Sequence, residues 1–222
     1  MKNRLVILVF ILTTTLTACE QLPQQAAYSE LRTIASGLVG GRQQAQNPRD
    51  VLSRKLIDSA ARPLLLVDVV NRSASATMLI AGQNGSYTTW VGADGVGLTL
   101  RGPGILTSTR GYGGDIISSD TDEVVRAIRT RQGEASVRLM RFLDGEDNDY
   151  SRALTCRYED LGVEDVLIFE DVHSTHRVVE SCRMADMSIE NTYWVGAGGY
   201  IWRSIQYAGE EIGYLAIERL YR

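Results

Sequence analysis

The chain has 222 residues, of which 44% are hydrophobic and 23% are charged. This composition is typical of a globular protein and excludes a disordered, collagen-like or coiled-coil chain. Removing Lys2 and Arg4 with the first 18 residues leaves 21 basic against 27 acidic residues, a net charge of about −6. Such a charge argues against nucleic acid or anionic lipid as the main partner.

The first 18 residues have the pattern of an export signal. Lys2 and Arg4 precede the unbroken apolar run 5–12, which is too short to span a bilayer as a helix. The next segment, Leu16-Thr17-Ala18-Cys19, resembles the lipobox of bacterial lipoproteins, whose cysteine is lipidated and becomes the N-terminus. We therefore expect a signal peptide over residues 1–18 and lipidation at Cys19. A secretory signal cut elsewhere, with Cys19 incidental, is the alternative.

The residue after the expected lipid anchor bears on location. Glu20 is not the Asp that tends to retain lipoproteins in the inner membrane of enteric bacteria. We therefore expect the protein to be anchored by lipid in the outer membrane and to face the periplasm.

The other two cysteines, Cys156 and Cys182, are 26 residues apart. In an exported chain such a pair is expected to form a disulfide. A metal site or a catalytic thiol pair is the alternative, but no second Cys or His lies within ligand spacing of either one.

The segments after Cys19 predict three short helices. Apolar residues recur at helical spacing over 27–38, inside a tether that we place at 19–47. Asn47 followed by Pro48 predicts the start of a second helix, over 48–58. A third is predicted over 121–131, with Asp120 as its cap.

The rest of the chain predicts many short strands at about ten-residue spacing. The predicted strands are 64–70, 77–81, 87–92, 96–100, 105–108, 136–143, 150–158, 165–169, 176–184, 191–195, 200–207 and 213–221. This pattern predicts an all-β domain over residues 48–222, built as an antiparallel barrel or sandwich.

Several side chains are candidates for binding a glycan or a protein partner. The glycine-rich run 102–115 contains Arg110, Tyr112 and Asp115, which offer a donor fork, a stacking ring and an acceptor. A packed crossover in which Arg110 pairs with Asp115 is the alternative. Three aromatic side chains could stack on sugar rings or could belong to the core; they are Trp90, Trp194 and Trp202.

No catalytic signature is present, so we expect no enzymatic activity, no cofactor and no bound metal. His173 and His176 would bind a metal only if acids converged on them from elsewhere. The acidic segment 144–149 lacks the spacing of an EF-hand loop and is expected to be a solvated hairpin loop.

The motifs together resemble a known family. They are the lipobox, Trp90-Val91, the run Thr109-Arg110-Gly111-Tyr112-Gly113-Gly114-Asp115, Glu180-Ser181-Cys182, Asn191-Thr192-Tyr193-Trp194-Val195 and Ile201-Trp202-Arg203-Ser204. This combination resembles the YjbF/GfcB-type lipoproteins of exopolysaccharide and group 4 capsule operons, across most of the mature chain. The resemblance implies a β-barrel-like fold and a role in polysaccharide secretion or assembly, without established catalytic residues.

The resulting expectation is a non-enzymatic lipoprotein that assists polysaccharide export by contacting the glycan or an export protein. Two other classes stay open. A glycan-modifying enzyme would need paired carboxylates in a cleft, and a structural scaffold would bind an outer-membrane channel through a sheet edge.

Overall fold

The computed structural model describes residues 47–133, 135–146 and 148–221. The expected signal, Cys19 and the helix predicted over 27–38 lie outside these ranges. The elements are α1 (Pro48–Val51), α2 (Arg54–Ala60), β1 (Leu64–Val69), β2 (Ala74–Asn84), β3 (Tyr87–Gly92), β4 (Gly97–Arg101), β5 (Ile105–Arg110), β6 (Ile116–Ser119), α3 (Asp122–Thr130), β7 (Ser136–Leu143), β8 (Asp149–Ile168), β9 (Asp171–Met184), β10 (Met187–Val195), β11 (Ile201–Gly209) and β12 (Gly213–Tyr221). Short 3₁₀ turns cover Val70–Arg72 and Ala197–Gly199.

All twelve strands form one antiparallel sheet in the order β5-β4-β3-β2-β1-β12-β11-β10-β9-β8-β7-β6. The chain thus forms two meandering arms that are joined where β1 pairs with β12. The sheet curls until its two edge strands, β5 and β6, lie side by side. The predicted all-β antiparallel fold is confirmed, as a nearly closed barrel.

Alternation along the strands separates the inside of the barrel from the outside. In β1, Leu65, Val67 and Val69 point inward into the main apolar cluster, while Leu66 belongs to a separate cluster on the outer face. Side chains alternate along a strand, and residues that pair across two strands face the same side of the sheet. The inward residues of β1 therefore determine which residues of its neighbouring strands face inward.

Side chains close the barrel where no regular strand ladder joins β5 to β6. Gln206 Oε1 accepts from the Leu106 N–H at 2.8 Å, and Arg138 Nη2 donates to the Leu106 carbonyl at 3.3 Å. Thr109 Oγ1 accepts from the Ile116 N–H at 2.9 Å. Side chains of β7 and β11 therefore satisfy the Leu106 backbone on the edge of β5, and Thr109 satisfies the Ile116 N–H on the edge of β6.

Helix α3 covers one end of the barrel. Val124 and Ile128 lie on one face of the helix and pack with Ile105, Tyr193 and other inward residues of the strands. Asp120, the predicted cap, accepts from the Asp122 N–H at 3.3 Å, one residue earlier than the N-cap position at Thr121.

A long hairpin and the N-terminal helices form an outer layer. Strand β8 runs for 20 residues, where the sequence predicted two strands with a break between them. That prediction is wrong because Gly162, at φ +94°, sits in a β-bulge that redirects the strand without ending it. The end of the hairpin folds back, and Val166 and Ile168 pack against Ile57 of α2.

Two other element predictions need correction. The helix expected over 48–58 is two helices, because Ser53 begins a new one by accepting from the Leu56 N–H at 3.3 Å. Strand β6 was not predicted, since its four residues follow directly on the glycine-rich run.

Cys156 and Cys182 form the expected disulfide in the structure. They lie directly opposite each other on β8 and β9, and both are fully buried inside the barrel. We expect mass spectrometry of the unreduced, alkylated protein to show no labelled thiol at either position. Two alkylated cysteines without prior reduction would contradict the pairing.

Candidate functional site

The predicted binding residues Arg110, Tyr112 and Asp115 do not form one surface. Asp115 organises the loop between β5 and β6: its carboxylate accepts from the Gly111 N–H at 2.7 Å, the Tyr112 N–H at 3.3 Å and Thr109 Oγ1 at 2.8 Å. These hydrogen bonds use the Asp115 carboxylate, which the sequence analysis proposed as an acceptor for a ligand. Asp115 is thus a turn residue, and it makes no ion pair with Arg110.

Tyr112 belongs to the barrel core. Its side chain is 9% exposed and packs in the main apolar cluster, and its hydroxyl has no hydrogen-bond partner in the described part of the chain. Burial, together with the charges of Asp94 and Asp115, raises the pKa of Tyr112 well above its usual value. The ring therefore fills space, with its hydroxyl protonated.

The three tryptophans lie in three different environments. Trp90 is 2% exposed and points into the barrel, while Trp194 is 8% exposed and belongs to the outer cluster. Trp194 Nε1 donates to Glu164 Oε1 at 2.8 Å. Trp202 is half-buried and stacks on His173, with ring centroids 3.6 Å apart. Only Trp202 presents a substantial part of its ring to solvent.

Arg110 lies at a groove on the outside of the barrel. This outer groove has a volume of about 650 Å³ and crosses the outer face from β2 to β6. Its lining residues are Ala81, Gly82, Thr89, Val91, Gly95, Gly97, Leu98, Thr99, Ser108, Thr109, Arg110, Ile116 and Ile117.

Three hydroxyl side chains form a row across the outer groove. Thr89 lies opposite Thr99 in the β3–β4 pair, and Thr99 lies opposite Ser108 in the β4–β5 pair. The two threonine hydroxyls are 3.2 Å apart. These two hydroxyls hydrogen-bond to each other and keep further donor or acceptor capacity, so the row offers a linked pair of hydroxyls together with that of Ser108.

Arg110 belongs to a second row of paired residues, which runs across β3, β4 and β5 beside the hydroxyl row. Arg110 lies opposite Gly97, which in turn lies opposite Val91. A Cβ on Gly97 would come within 2.9 Å of the Trp90 carbonyl oxygen, so only glycine fits there. The floor beside Arg110 is therefore bare backbone.

The outer groove also has a distinctive charge. Arg110 is its one charged residue, and among the described residues that line it none is acidic. Arg110 is exposed, and its side chain makes no hydrogen bond or ion pair with the described residues. The nearby Asp94 is occupied, because its Oδ1 accepts from the Val96 N–H at 3.1 Å.

A polar network lies inside the barrel and was not predicted from the sequence. Glu180 is fully buried, and its carboxylate accepts from Arg138 at 2.8 Å, Tyr193 at 2.7 Å, Asn191 at 2.7 Å and Tyr158 at 3.3 Å. Charged residues on a strand usually face solvent, so only knowledge of the register could have placed Arg138 and Glu180 inside.

Opposing effects act on the ionisation of this network. Burial lowers the pKa of Arg138, but the charge of Glu180 and the contact with Tyr193 outweigh burial and raise it overall. Burial and the Glu180 charge raise the pKa of Tyr193. Arg138 thus stays charged and Tyr193 stays a hydroxyl donor.

Among the residues that the structure describes, no set of acids converges on either histidine to form a metal site. His173 stacks on Trp202, and His176 Nδ1 is 3.0 Å from Asp160. Glu180 lies close to Cys156 and Cys182, but the disulfide leaves no thiolate to bind a metal there.

The acidic loop is closed by its own first residue. Asp144 Oδ1 accepts from the N–H groups of Glu146 and Asn148, each at 2.9 Å. These hydrogen bonds with Asn148 and Glu146 lower the pKa of Asp144. This placement fits the hairpin loop expected for the segment.

Comparison with known proteins identifies the family. The family model described as "Group 4 capsule polysaccharide lipoprotein gfcB, YjbF" matches residues 28–220. The chain belongs to the YjbF family. Among curated protein sequences, none matches the chain. None of the described helices is long and apolar enough to cross a membrane.

A solved structure has the same fold as this YjbF-family chain. It is the hypothetical lipoprotein YmcC from Escherichia coli (K12), with a TM-score of 0.70 and 15% sequence identity. The alignment covers 86% of this chain and 95% of that chain. The expected resemblance to YjbF/GfcB-type lipoproteins is thus confirmed, and with it the class of capsule polysaccharide lipoproteins.

Proposed function

We propose that this protein is a non-enzymatic lipoprotein that assists secretion or assembly of an exopolysaccharide or capsule by holding the glycan in its outer groove. The row of hydroxyls formed by Thr89, Thr99 and Ser108 is the observation that carries this proposal. A hydroxyl both donates and accepts hydrogen bonds, so a row of them suits the hydroxyls of successive sugars.

The position of the acidic residues supports a binding role over catalysis. Glycoside hydrolysis uses two carboxyl groups, about 5 to 9.5 Å apart, on either side of the bond that is cleaved. No described residue of the groove lining supplies one. Asp115 is used by its own loop, and Glu180 is buried and paired with Arg138.

The proposed function also requires a lipid anchor that holds the protein at the membrane. Lipidation of Cys19 would hold the barrel at the outer membrane on its periplasmic side, where it meets glycan on its way out of the cell. Buried lipid contributes about 0.8 kcal/mol for each CH₂ group, so three acyl chains hold firmly.

The anchor is tested by Cys19→Ser. We expect this variant to move from the membrane fraction to the soluble periplasmic fraction, because its acyl chains are lost. The measurement is fractionation followed by immunoblotting, with Cys156→Ser/Cys182→Ser as a control that keeps the anchor. A Cys19→Ser protein that stays with the outer membrane would show that protein contacts hold it there.

The groove is tested by Thr99→Val, which removes the central hydroxyl at nearly constant shape. One neutral hydrogen bond contributes about 0.5 to 1.5 kcal/mol, so we expect roughly 2- to 10-fold weaker binding to the purified exopolysaccharide of the source strain. Thr155→Val is the matched control, since Thr155 is exposed on the outer face of β8, away from the groove.

The outcomes of this test decide whether the outer groove holds the glycan. Weaker binding for Thr99→Val alone supports glycan binding in the groove. Equal binding by both variants would place the glycan elsewhere on the protein. An absence of binding by the unaltered protein would overturn glycan binding in the groove and, with it, the proposed function.

A further inference from the structure

Arg110 brings an unbalanced positive charge to the outer groove. The chain as a whole carries more acidic than basic residues, yet the described lining has one arginine and no acid. Asp94 and Asp115 make no ion pair with Arg110, and each accepts a hydrogen bond from a backbone N–H of its own loop. The pairing of Arg110 with Asp115 that the sequence left open is not formed.

The surroundings of Arg110 leave its guanidinium accessible from the groove. Arg110 is exposed and lies opposite Gly97, which carries no side chain that could cover the guanidinium. Ser108 is two residues away on the same face of β5, at the end of the hydroxyl row. A sugar lying on that row would bring its substituents next to Arg110.

The charge of this site selects the class of ligand. A guanidinium donates two parallel hydrogen bonds to a carboxylate or to a phosphate. A single guanidinium balances the single charge of a carboxylate, whereas a phosphate monoester carries nearly two charges. The single charge of Arg110 therefore matches a uronic acid better than a phosphate monoester.

From this geometry we infer that the outer groove recognises an acidic polysaccharide, and that Arg110 binds the carboxylate of a uronic acid whose ring lies on the hydroxyl row. The inference rests on the proposed function, because it names the kind of glycan that the groove holds. Neutral sugars of the same chain would contact Thr89 and Thr99 without the ion pair.

The experiment compares one polymer in two charge states. Exopolysaccharide purified from the source strain is immobilised either unaltered or after carbodiimide activation and borohydride reduction, which converts its carboxylates to alcohols. Binding of the full-length protein in detergent is measured for the unaltered chain, Arg110→Gln and Arg157→Gln. Arg157 is the matched control, because it is an exposed arginine on the outer face of β8. Thermal melting verifies that each variant is folded.

We expect the unaltered protein to bind the native polymer about 2- to 5-fold more tightly than the reduced polymer, because an exposed ion pair contributes an effect of this size. Arg110→Gln should bind both polymers with the lower affinity, and Arg157→Gln should behave as the unaltered protein. The difference between polymers should shrink in high salt, since the site is exposed.

The other outcomes separate the inference from the proposed function. If the unaltered protein binds both polymers equally, or if the native polymer contains no uronic acid, glycan binding stands and the role of Arg110 is overturned. If Arg157→Gln loses as much affinity as Arg110→Gln, the effect is one of general charge and the inference is again overturned. If neither polymer binds, the proposed function falls with the inference.

Discussion

Replacing Glu180 with Ala is expected to lower the free energy of unfolding by about 3 to 5 kcal/mol. The change leaves Arg138 charged inside the barrel without its partner, and breaking a buried ion pair from one side has a cost of this size. Arg138 is 1% exposed and Glu180 is completely buried, so water cannot replace the lost carboxylate. Tyr193 and Asn191 also lose their acceptor, at 2.7 Å each.

The measurement is urea denaturation of the protein with its disulfide intact. Asp149→Ala is the matched control, because Asp149 forms an ion pair with Arg141 in which both side chains are about half exposed. Exposed pairs contribute about 0 to 1 kcal/mol, so this control should be nearly neutral.

A double variant tests whether the ion pair itself is needed for stability. Arg138→Met combined with Glu180→Leu removes both charges, and we expect it to be more stable than Glu180→Ala, because no unpaired charge stays inside. Arg138 also joins β7 to β5 through the Leu106 carbonyl. A double variant that recovers stability but binds less polysaccharide would indicate that this contact keeps the groove in shape. A Glu180→Ala protein within 1 kcal/mol of the unaltered chain would contradict the account of the network.

The sequence predicted the class of fold because strand signals are local. Turn residues and β-branched runs indicate where strands begin and end, and most strands of the barrel coincide with such signals. The bulge at Gly162 was missed because a glycine between two apolar segments usually marks the end of a strand. Here the glycine lies within one continuous strand. The tight turn at Phe169 and Glu170, both at positive φ, has none of the usual turn residues.

The site was harder to predict because it depends on which strands are neighbours. Arg110 is exposed at the end of β5, two residues beyond the strand predicted over 105–108, and its binding role stays a prediction. The hydroxyl row could not be predicted, because Thr89, Thr99 and Ser108 meet only through the β3–β4–β5 register. Threonine is also common on any strand, so no single position indicated a site.

The core position of Tyr112 leads to the second large effect. We expect Tyr112→Ala to lower the free energy of unfolding by about 3 to 5 kcal/mol, because it removes a buried aromatic ring and leaves a cavity. The Tyr112 carbonyl accepts from Arg72 Nη1 at 2.9 Å, so the loop is also held from outside the core. Polysaccharide export should fall in proportion to the loss of folded protein.

Tyr112→Phe distinguishes packing from a binding role for the hydroxyl. The hydroxyl is buried without a hydrogen-bond partner among the described residues, so removing it deletes an unpaired polar atom and keeps the ring. We expect Tyr112→Phe to be as stable as the unaltered protein or more stable, by up to about 1 kcal/mol, because an unsatisfied buried hydroxyl opposes folding. Export by this variant should be unchanged. If Tyr112→Phe melts normally but exports poorly, the hydroxyl contacts a partner and the core assignment is incomplete. If Tyr112→Ala melts within 1 kcal/mol of the unaltered protein, the ring does not stabilise the core, and its role must then lie in binding.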